Sequence, residues 1–368
     1  MEIYYILFFI LVFFSLLEVF KIGTIEKKYI LLNFSLICLI LGTVRYNTGT
    51  DWETYYAFFN QGYTYEYFMS DYNFEIGYKF LNYLIKNSAD EYYCLLFIIS
   101  SVCVYSYYRS ITYFSTYNIT ATLILFSAFF YGVFPVRTTI VMAISLLTYR
   151  MIAKRNKVGF IITVLLALSI HRIAIILLPA YYLYYKNFST LKMILIMLIC
   201  LIVGEFNFIM NLTSYMTGID SVYLSKLISY AERSQNGEQF GASIDKEQVS
   251  NYMIVLKFIF ILLLLRYRAF FAKKIYNFNG LINMFFVGSC LYFLLVFTSA
   301  EIATRLTGPY TVSEYLLMVN ALNISDKLMI KIGIWLIIVA SAFVRLYLKI
   351  GVFPNAYVPY NTMFGIIW

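Results

Sequence analysis

Apolar runs long enough to cross a membrane recur along the whole of this chain. Apolar residues make up 62% of its 368 residues, and charged residues make up only 13%. A helix needs roughly 20 residues to span the hydrocarbon core of a bilayer. Inside lipid, helices satisfy their own backbone hydrogen bonds. We therefore predict an all-α, polytopic integral membrane protein with about 12 transmembrane helices (range roughly 10 to 13), forming one domain over residues 1–368.

Basic residues in the short loops determine the predicted orientation. Lys21, Lys27 and Lys28 follow the first apolar run, which lacks the basic start and small-residue cleavage site of a signal peptide. Lysine and arginine concentrate in cytoplasmic loops, so we place this loop inside the cell. The net charge of +9 is then a loop feature rather than a nucleic-acid footprint. The predicted spans are residues 3–20, 29–44, 92–108, 119–134, 138–152, two short helices within 158–185 that meet at His171, 191–210, 252–265, 280–298, 309–322 and 332–348.

Two longer loops are predicted on the external side. Residues 45–91 are acidic and aromatic, and their segment 73–85 has the pattern of an interfacial amphipathic helix. Residues 211–250 are polar and should form a mobile external loop. The tail, residues 349–368, is also expected outside, although Arg345 and Lys349 run against the charge bias there.

Eight ionisable residues fall at span ends on the side opposite to the basic loops, although they were not used to choose the orientation. A charge beside an apolar wall is costly unless it meets a partner, a substrate or water. Guanidinium groups bind phosphates in bidentate fashion, so the four arginines in this set predict a cationic pocket. Alternatively, Arg137 is a snorkelling interfacial residue and Glu301 pairs with Arg305 within one helix. The eight residues are Arg45, Asp51, Glu75, Arg137, His171, Arg172, Glu301 and Arg305.

Several of these residues have a structural reading beside a chemical one. His171 is the single histidine and is either a packing residue at a helix turn or a base. Asp51 either caps a short helix or acts as a base. Trp52 and Tyr55 either stack on sugars or belong to an interfacial aromatic belt. The five cysteines are isolated, and no nucleotide loop or metal motif is present, so we expect no metal and no cofactor.

Five short motifs resemble the EpsG-like family of polysaccharide polymerases, which are Wzy-type enzymes of O-antigen, capsule or exopolysaccharide assembly. The motifs, in chain order, are RYNTGTDWETY (45–55), FEIGYKFLN (74–82), PVRTTIVMAI (135–144), IHRIAIILLPAYYL (170–183) and ATRLTGPY (303–310). The family more often has a small or polar residue at the position of Arg172. The resemblance implies a glycosyltransferase in the bacterial inner membrane, with a GT-C-like architecture and a cavity that faces the periplasm.

The resemblance also implies a reaction. Undecaprenyl-pyrophosphate-linked oligosaccharide repeat units would serve as donor and acceptor in the membrane lipid, and a separate chain-length regulator is an expected partner. No nucleic acid is involved. A flippase, a polyprenyl-phosphate-sugar transferase and an acyltransferase are the rival interpretations. The expected pyrophosphate ligands are Arg45, Arg137, Arg305 and Arg172. The expected catalytic groups are Asp51, His171, Glu75 and Glu301, and the expected sugar contacts are Trp52 and Tyr55.

Overall fold

Every regular element that the structure describes is a helix, which confirms the all-α class. The computed structural model describes residues 2–71, 73–206 and 246–365. An isolated antiparallel β-bridge pairs Arg45 with Thr362. Short 3-10 helices cover Phe130–Gly132, Arg172–Leu177 and Ala321–Asn323. The α-helices are α1 (Glu2–Val19), α2 (Thr24–Val44), α3 (Trp52–Gln61), α4 (Tyr65–Ser70), α5 (Ile76–Ser88), α6 (Tyr92–Phe114), α7 (Asn118–Phe129), α8 (Arg137–Ala153), α9 (Lys157–Ile170), α10 (Ala180–Tyr185), α11 (Thr190–Glu205), α12 (Lys246–Arg266), α13 (Arg268–Lys274), α14 (Phe278–Leu295), α15 (Ala300–Thr311), α16 (Ser313–Asn320), α17 (Leu328–Val352) and α18 (Pro354–Tyr357).

Five of the described helices are long and apolar enough to cross a membrane, namely α1, α2, α6, α14 and α17. Shorter apolar helices cover Asn118–Gly132, Lys157–Ile170 and Arg172–Tyr185. These helices agree with a polytopic membrane protein, but the predicted count of about 12 spans is not confirmed. The predicted loop 211–250 lies outside the described residues except for its last five, which begin α12.

The predicted basic loops meet at one end of the helix bundle. Lys27 Nζ donates to the Thr116 carbonyl at 3.3 Å, and Thr116 Oγ1 donates to Asn323 Oδ1 at 3.1 Å. The hydroxyls of Tyr113 and Tyr276 lie 3.0 Å apart. These contacts join four connections that are distant in sequence, so the basic clusters share one end, as the charge pattern predicts.

The opposite end gathers the beginning of α1, the segment after α2 and the tail of the chain. Tyr46 N–H donates to the Asn361 carbonyl at 2.9 Å, and Met363 N–H donates to the Val44 carbonyl at 2.8 Å. Tyr4 Oη donates to the Tyr357 carbonyl at 2.7 Å. The tail therefore returns to the 44–49 segment and pairs with it. This pairing places residues 356–363 at the same bundle end as the start of the predicted loop 45–91, and the external location of both stays a prediction.

Two predicted boundaries need correction. The predicted span 309–322 starts too late, because α15 begins at Ala300 and carries Pro309 in its interior. The interfacial segment 73–85 is shifted, since α5 covers Ile76–Ser88. In contrast, the two short helices meeting at His171 are confirmed: α9 ends at Ile170, and His171 is extended (φ −154°, ψ 127°) before the next 3-10 helix.

A buried ionic network that the sequence analysis missed links three helices. Glu314 of α16 accepts from Lys257 Nζ of α12 and from Arg345 Nη2 of α17, each at 2.7 Å. The Glu314 and Lys257 side chains are 6% and 7% exposed. A buried carboxylate is tolerated when cations pair with it, so the network explains how Arg345 is accommodated despite the charge bias. Its sequence signal is an isolated charge within each of three apolar runs.

Candidate active site

Glu75 is the residue around which the polar groups of one bundle end are arranged. It stands at the N-cap of α5 with extended backbone (φ −79°, ψ 153°), but its side chain makes no cap hydrogen bond. The carboxylate instead faces α8 and the α9 break, which lie 62 and 96 residues further along the chain. The Glu75 side chain is 8% exposed. An N-cap side chain ordinarily accepts a hydrogen bond from a backbone N–H of its own helix. The Glu75 side chain contacts other helices instead.

Arg137 is the first residue of α8 and makes the shortest of these contacts. Its Nη1 lies 2.5 Å from Glu75 Oε2 and also donates to the Asn73 carbonyl at 2.9 Å. Its Nε donates to Tyr55 Oη at 3.4 Å. The guanidinium carbon lies 4.7 Å from the centre of the Phe74 ring. Hydrogen bonds and ring contacts thus fix the guanidinium group in one orientation.

His171 and Arg172 reach the second carboxylate oxygen from the break between α9 and the following 3-10 helix. Glu75 Oε1 lies 2.9 Å from His171 Nδ1. The same oxygen accepts from the backbone N–H and the Nε of Arg172, both at 3.1 Å. Because α9 ends at Ile170 and His171 is extended, the backbone N–H of Arg172 points toward the Glu75 carboxylate. Glu75 therefore joins three helical elements through side-chain and backbone contacts.

The surroundings of Glu75 hold it ionised. Burial raises the pKa of its carboxyl group, but the hydrogen bond with His171 and the charge of Arg137 outweigh burial, so the net pKa lies well below the ordinary value. Arg137 and Arg172 place two guanidinium groups against one carboxylate, which leaves a net charge of +1. The cluster is therefore suited to an anion, and Glu75 is a poor proton acceptor near neutral pH.

α5 reaches this position because it packs closely against α9. A Cβ added at Gly77 would lie 2.4 Å from Ser169 Oγ and 2.7 Å from the Ser169 carbonyl oxygen. The outer face of α5 is apolar, with Ile76, Phe80 and Leu84 exposed to 71%, 48% and 45%. Side chains spaced by four residues share one helix face. The helix therefore presents an apolar stripe outward while its first turn contacts α9.

Arg305 and Glu301 lie at the same bundle end but form a separate pair. They occupy the first half of α15, where Arg305 Nη2 and Glu301 Oε1 are 2.5 Å apart, as the intrahelical alternative predicts. Their side chains are 42% and 26% exposed. Tyr310, further along α15, donates from its hydroxyl to the Ile176 carbonyl at 2.5 Å. This bond attaches α15 to the 3-10 helix that begins with Arg172.

Arg45 is buried away from this cluster. It is 3% exposed, its Nη1 donates to the Thr48 carbonyl at 3.0 Å, and its guanidinium lies 5.7 Å from the Phe134 ring centre. Within the described part of the chain, its Nε has no hydrogen-bond partner. In this conformation Arg45 supports the fold of the 45–49 segment, and diphosphate binding by it stays a prediction.

The remaining predicted residues, Asp51, Trp52 and Tyr55, lie at the start of α3. Asp51 holds the N-cap position of α3 without a side-chain cap bond, and Tyr55 bonds Arg137 as described above. Trp52 is 5% exposed and stacks on Tyr56 with ring centres 4.3 Å apart. Sugar stacking by Trp52 therefore stays a prediction, since aromatic neighbours surround its ring here. Sequence reasoning missed the contacts of Asn73 and Phe74 with Arg137, although both directly precede Glu75.

No group of three histidine, cysteine or acidic side chains that could hold a metal ion is present among residues 2–71, 73–206 and 246–365. The expectation that the reaction needs no metal stays a prediction.

Comparison with known proteins gives one family. No curated protein and no solved structure shows significant similarity to the chain. The model of the EpsG family matches residues 27–362 of the 368. That match includes every member of the cluster around Glu75. On this evidence, the chain is a member of the EpsG family.

Proposed function

We propose that this protein is a Wzy-type polymerase that joins polyprenyl-diphosphate-linked oligosaccharide repeat units at the periplasmic face of a bacterial inner membrane. Membership of the EpsG family supports a polymerase-like role in polysaccharide synthesis at a membrane. The observation that carries the finer proposal is the convergence of Arg137, Arg172 and His171 on the Glu75 carboxylate at the end opposite to the basic loops.

The net positive charge of this cluster can stabilise the diphosphate leaving group of the proposed reaction. When the glycosidic bond to the lipid diphosphate breaks, negative charge develops on the diphosphate. Fixed cations near that charge lower the barrier, and losing one such contact typically reduces the rate by about 10²- to 10³-fold. Arg172, whose side chain is 35% exposed, is the more accessible guanidinium of the cluster, and Arg137 at 18% is the more enclosed. Arg305, which pairs with Glu301 on α15, is proposed as a further diphosphate ligand.

The acceptor hydroxyl needs a group that removes or orients its proton. With Glu75 facing Nδ1 of His171, the Nδ1–H tautomer leaves Nε2 as the acceptor. His171 is thus the base that the geometry favours, and Glu75 is a positioning residue. Asp51 is the alternative base, because it lies at the start of α3, one turn from Tyr55.

Reconstitution tests this proposal against its rivals. The purified protein in liposomes receives one defined lipid-diphosphate repeat unit, alone in one arm and together with a polyprenyl-phosphate-linked sugar in the other. Polymer supports the proposal, a single added sugar indicates a polyprenyl-phosphate-sugar-dependent transferase, and movement of the unit without chemistry indicates a flippase. The arrangement of polar residues at one bundle end favours an enzyme over a transporter, whose site would lie at mid-membrane depth.

Two arginine variants test the diphosphate ligands in cells. We expect Arg137→Ala and Arg305→Ala to leave single-repeat product where the wild type makes a ladder. Arg109→Ala, at the basic end of the bundle, is the matched control and should leave the ladder unchanged. Wild-type ladders from both Arg137→Ala and Arg305→Ala would refute the cationic-site hypothesis.

A further inference from the structure

A basic concavity lies at the bundle end opposite to the Glu75 cluster. It has a volume of about 520 Å³ and forms where the start of α11, the end of α12, α13 and the start of α14 meet. Its lining residues are Thr190, Leu265, Arg266, Arg268, Ala269, Ala272 and Asn279. Two of these are arginines and none is acidic, so this surface attracts anions.

Arg268 is held by hydrogen bonds and partly desolvated, and it has no acidic partner among the described residues. Its Nη1 donates to the Phe188 carbonyl at 2.5 Å, and its Nε donates to Asn279 Oδ1 at 3.2 Å. Burial lowers the pKa of Arg268, and no neighbouring carboxylate among the described residues offsets this effect. An anion in the concavity would supply the missing compensation.

The rest of the lining leaves room for a phosphate group beside the two arginines. Ala269 and Ala272 lie three residues apart on α13 and keep one wall free of bulky side chains. Thr190 brings a hydroxyl and the positive end of the α11 dipole to the rim. Directly after Thr190, α11 exposes Leu191 and Leu195 to 67% and 49%. The polar wall therefore adjoins an apolar face along which an acyl chain can lie.

We propose that this concavity binds the phosphate group of an anionic membrane lipid, with Arg266 and Arg268 as its ligands. Basic sites between helices at the cytoplasmic side of membrane proteins commonly hold acidic headgroups. Bound lipid would tie together α11 and α12, the two helices that flank residues 207–245. The proposal concerns the basic bundle end alone and does not depend on the reaction at Glu75.

Titration of the purified full-length protein with two probes separates the sources of phosphate. Short-chain phosphatidylglycerol is added in one arm and inorganic phosphate in the other, with short-chain phosphatidylcholine as the zwitterionic reference. Native mass spectrometry counts bound lipid, and a thermal shift reports stabilisation. We expect phosphatidylglycerol to bind and stabilise the protein, with inorganic phosphate effective only at far higher concentration. Equal affinity for inorganic phosphate would overturn the lipid assignment, and equal binding of phosphatidylcholine, whose phosphate charge is balanced by its ammonium group, would overturn the assignment to an anionic lipid.

Three variants localise the binding. Arg266→Ala should weaken phosphatidylglycerol binding by about tenfold to a hundredfold, the range for loss of one hydrogen bond between charged groups. Ala272→Glu, which introduces a carboxylate at the wall without removing any existing hydrogen bond, should weaken it at least as much. Lys273→Ala, on α13 but outside the lining, is the matched control and should change binding less than twofold. Undiminished binding by both Arg266→Ala and Ala272→Glu refutes the site.

Discussion

Replacing Glu75 by glutamine removes the charge that pairs with Arg137 and Arg172 while keeping the size of the side chain. Breaking a buried ion pair by removing one partner costs about 3 to 5 kcal/mol. The Glu75 side chain is 8% exposed, but Arg172 is 35% exposed and can be solvated. We therefore expect Glu75→Gln to lower the free energy of unfolding by about 3 kcal/mol, at the low end of that range. Thermal unfolding of the purified protein measures it.

An ion pair of equal length whose carboxylate is exposed provides the control. Asp90 lies 2.5 Å from Lys86 Nζ, the same distance that joins Glu75 to Arg137, but its side chain is 66% exposed. The Lys86 side chain is 7% exposed, but its Nζ also lies over the Phe59 and Tyr63 rings, and water solvates the Asp90 carboxylate. Asp90→Asn should therefore lower the free energy of unfolding by clearly less than Glu75→Gln does. If Glu75→Gln unfolds like Asp90→Asn, the reasoning from burial is wrong.

The same substitution has a pH signature whose sign is determined by the pKa of Glu75. The pKa in the folded protein is lower than in the unfolded chain, so the ionised form stabilises the fold. This contribution is fully present above the unfolded pKa of about 4.3 and is lost as pH falls toward the folded value. The stability difference between wild type and Glu75→Gln should therefore be constant near neutral pH and shrink only below about pH 4.3. A difference that shrinks near neutral pH would contradict the ionised state of Glu75.

Two further predictions concern the placement of the cluster and the identity of the base. Gly77→Ala should destabilise the protein by about 1 to 3 kcal/mol and reduce polymer formation, because the added methyl group collides with Ser169 and moves α5 from α9. Gly333→Ala, whose Cβ meets no atom within 4 Å, is the control and should be neutral or stabilising in the unfolding assay. His171→Ala should lower kcat by about 10²- to 10⁴-fold with little change in KM, whereas Asp51→Asn should not. The reverse ranking in a steady-state polymerisation assay would transfer the role of base to Asp51.

The sequence predicted the shared end of the polar residues because the charge bias of loops is a local signal that each connection carries separately. His171 provides the clearest case, since its position between two short apolar runs predicted the break that the structure shows. The partners of Glu75 could not be predicted from the sequence, because they lie 62 and 96 residues away and depend on how α5 packs. An acidic residue before a helix reads as a cap from sequence alone.

Arg45 and Glu314 have contacts that the sequence alone did not predict. Arg45 is the first residue of the predicted external loop 45–91, yet the tail returns to pair with residues 44–49 and Arg45 lies against Phe134. Residues 44–49 and the tail are far apart in sequence, so local patterns do not predict that they pair. Glu314 was overlooked because a single acid in an apolar run gives no sign of Lys257 and Arg345, which approach it from other helices.

The most direct test of the account measures whether the Glu75 cluster recognises the diphosphate. Binding of a lipid-linked repeat unit with a diphosphate is compared with binding of the same unit with a monophosphate, in wild type and in an Arg137→Gln/Arg172→Gln variant. We expect wild type to prefer the diphosphate by about tenfold or more and the variant to lose this preference. An unchanged preference in the folded variant would show that the diphosphate binds elsewhere and would contradict the central claim.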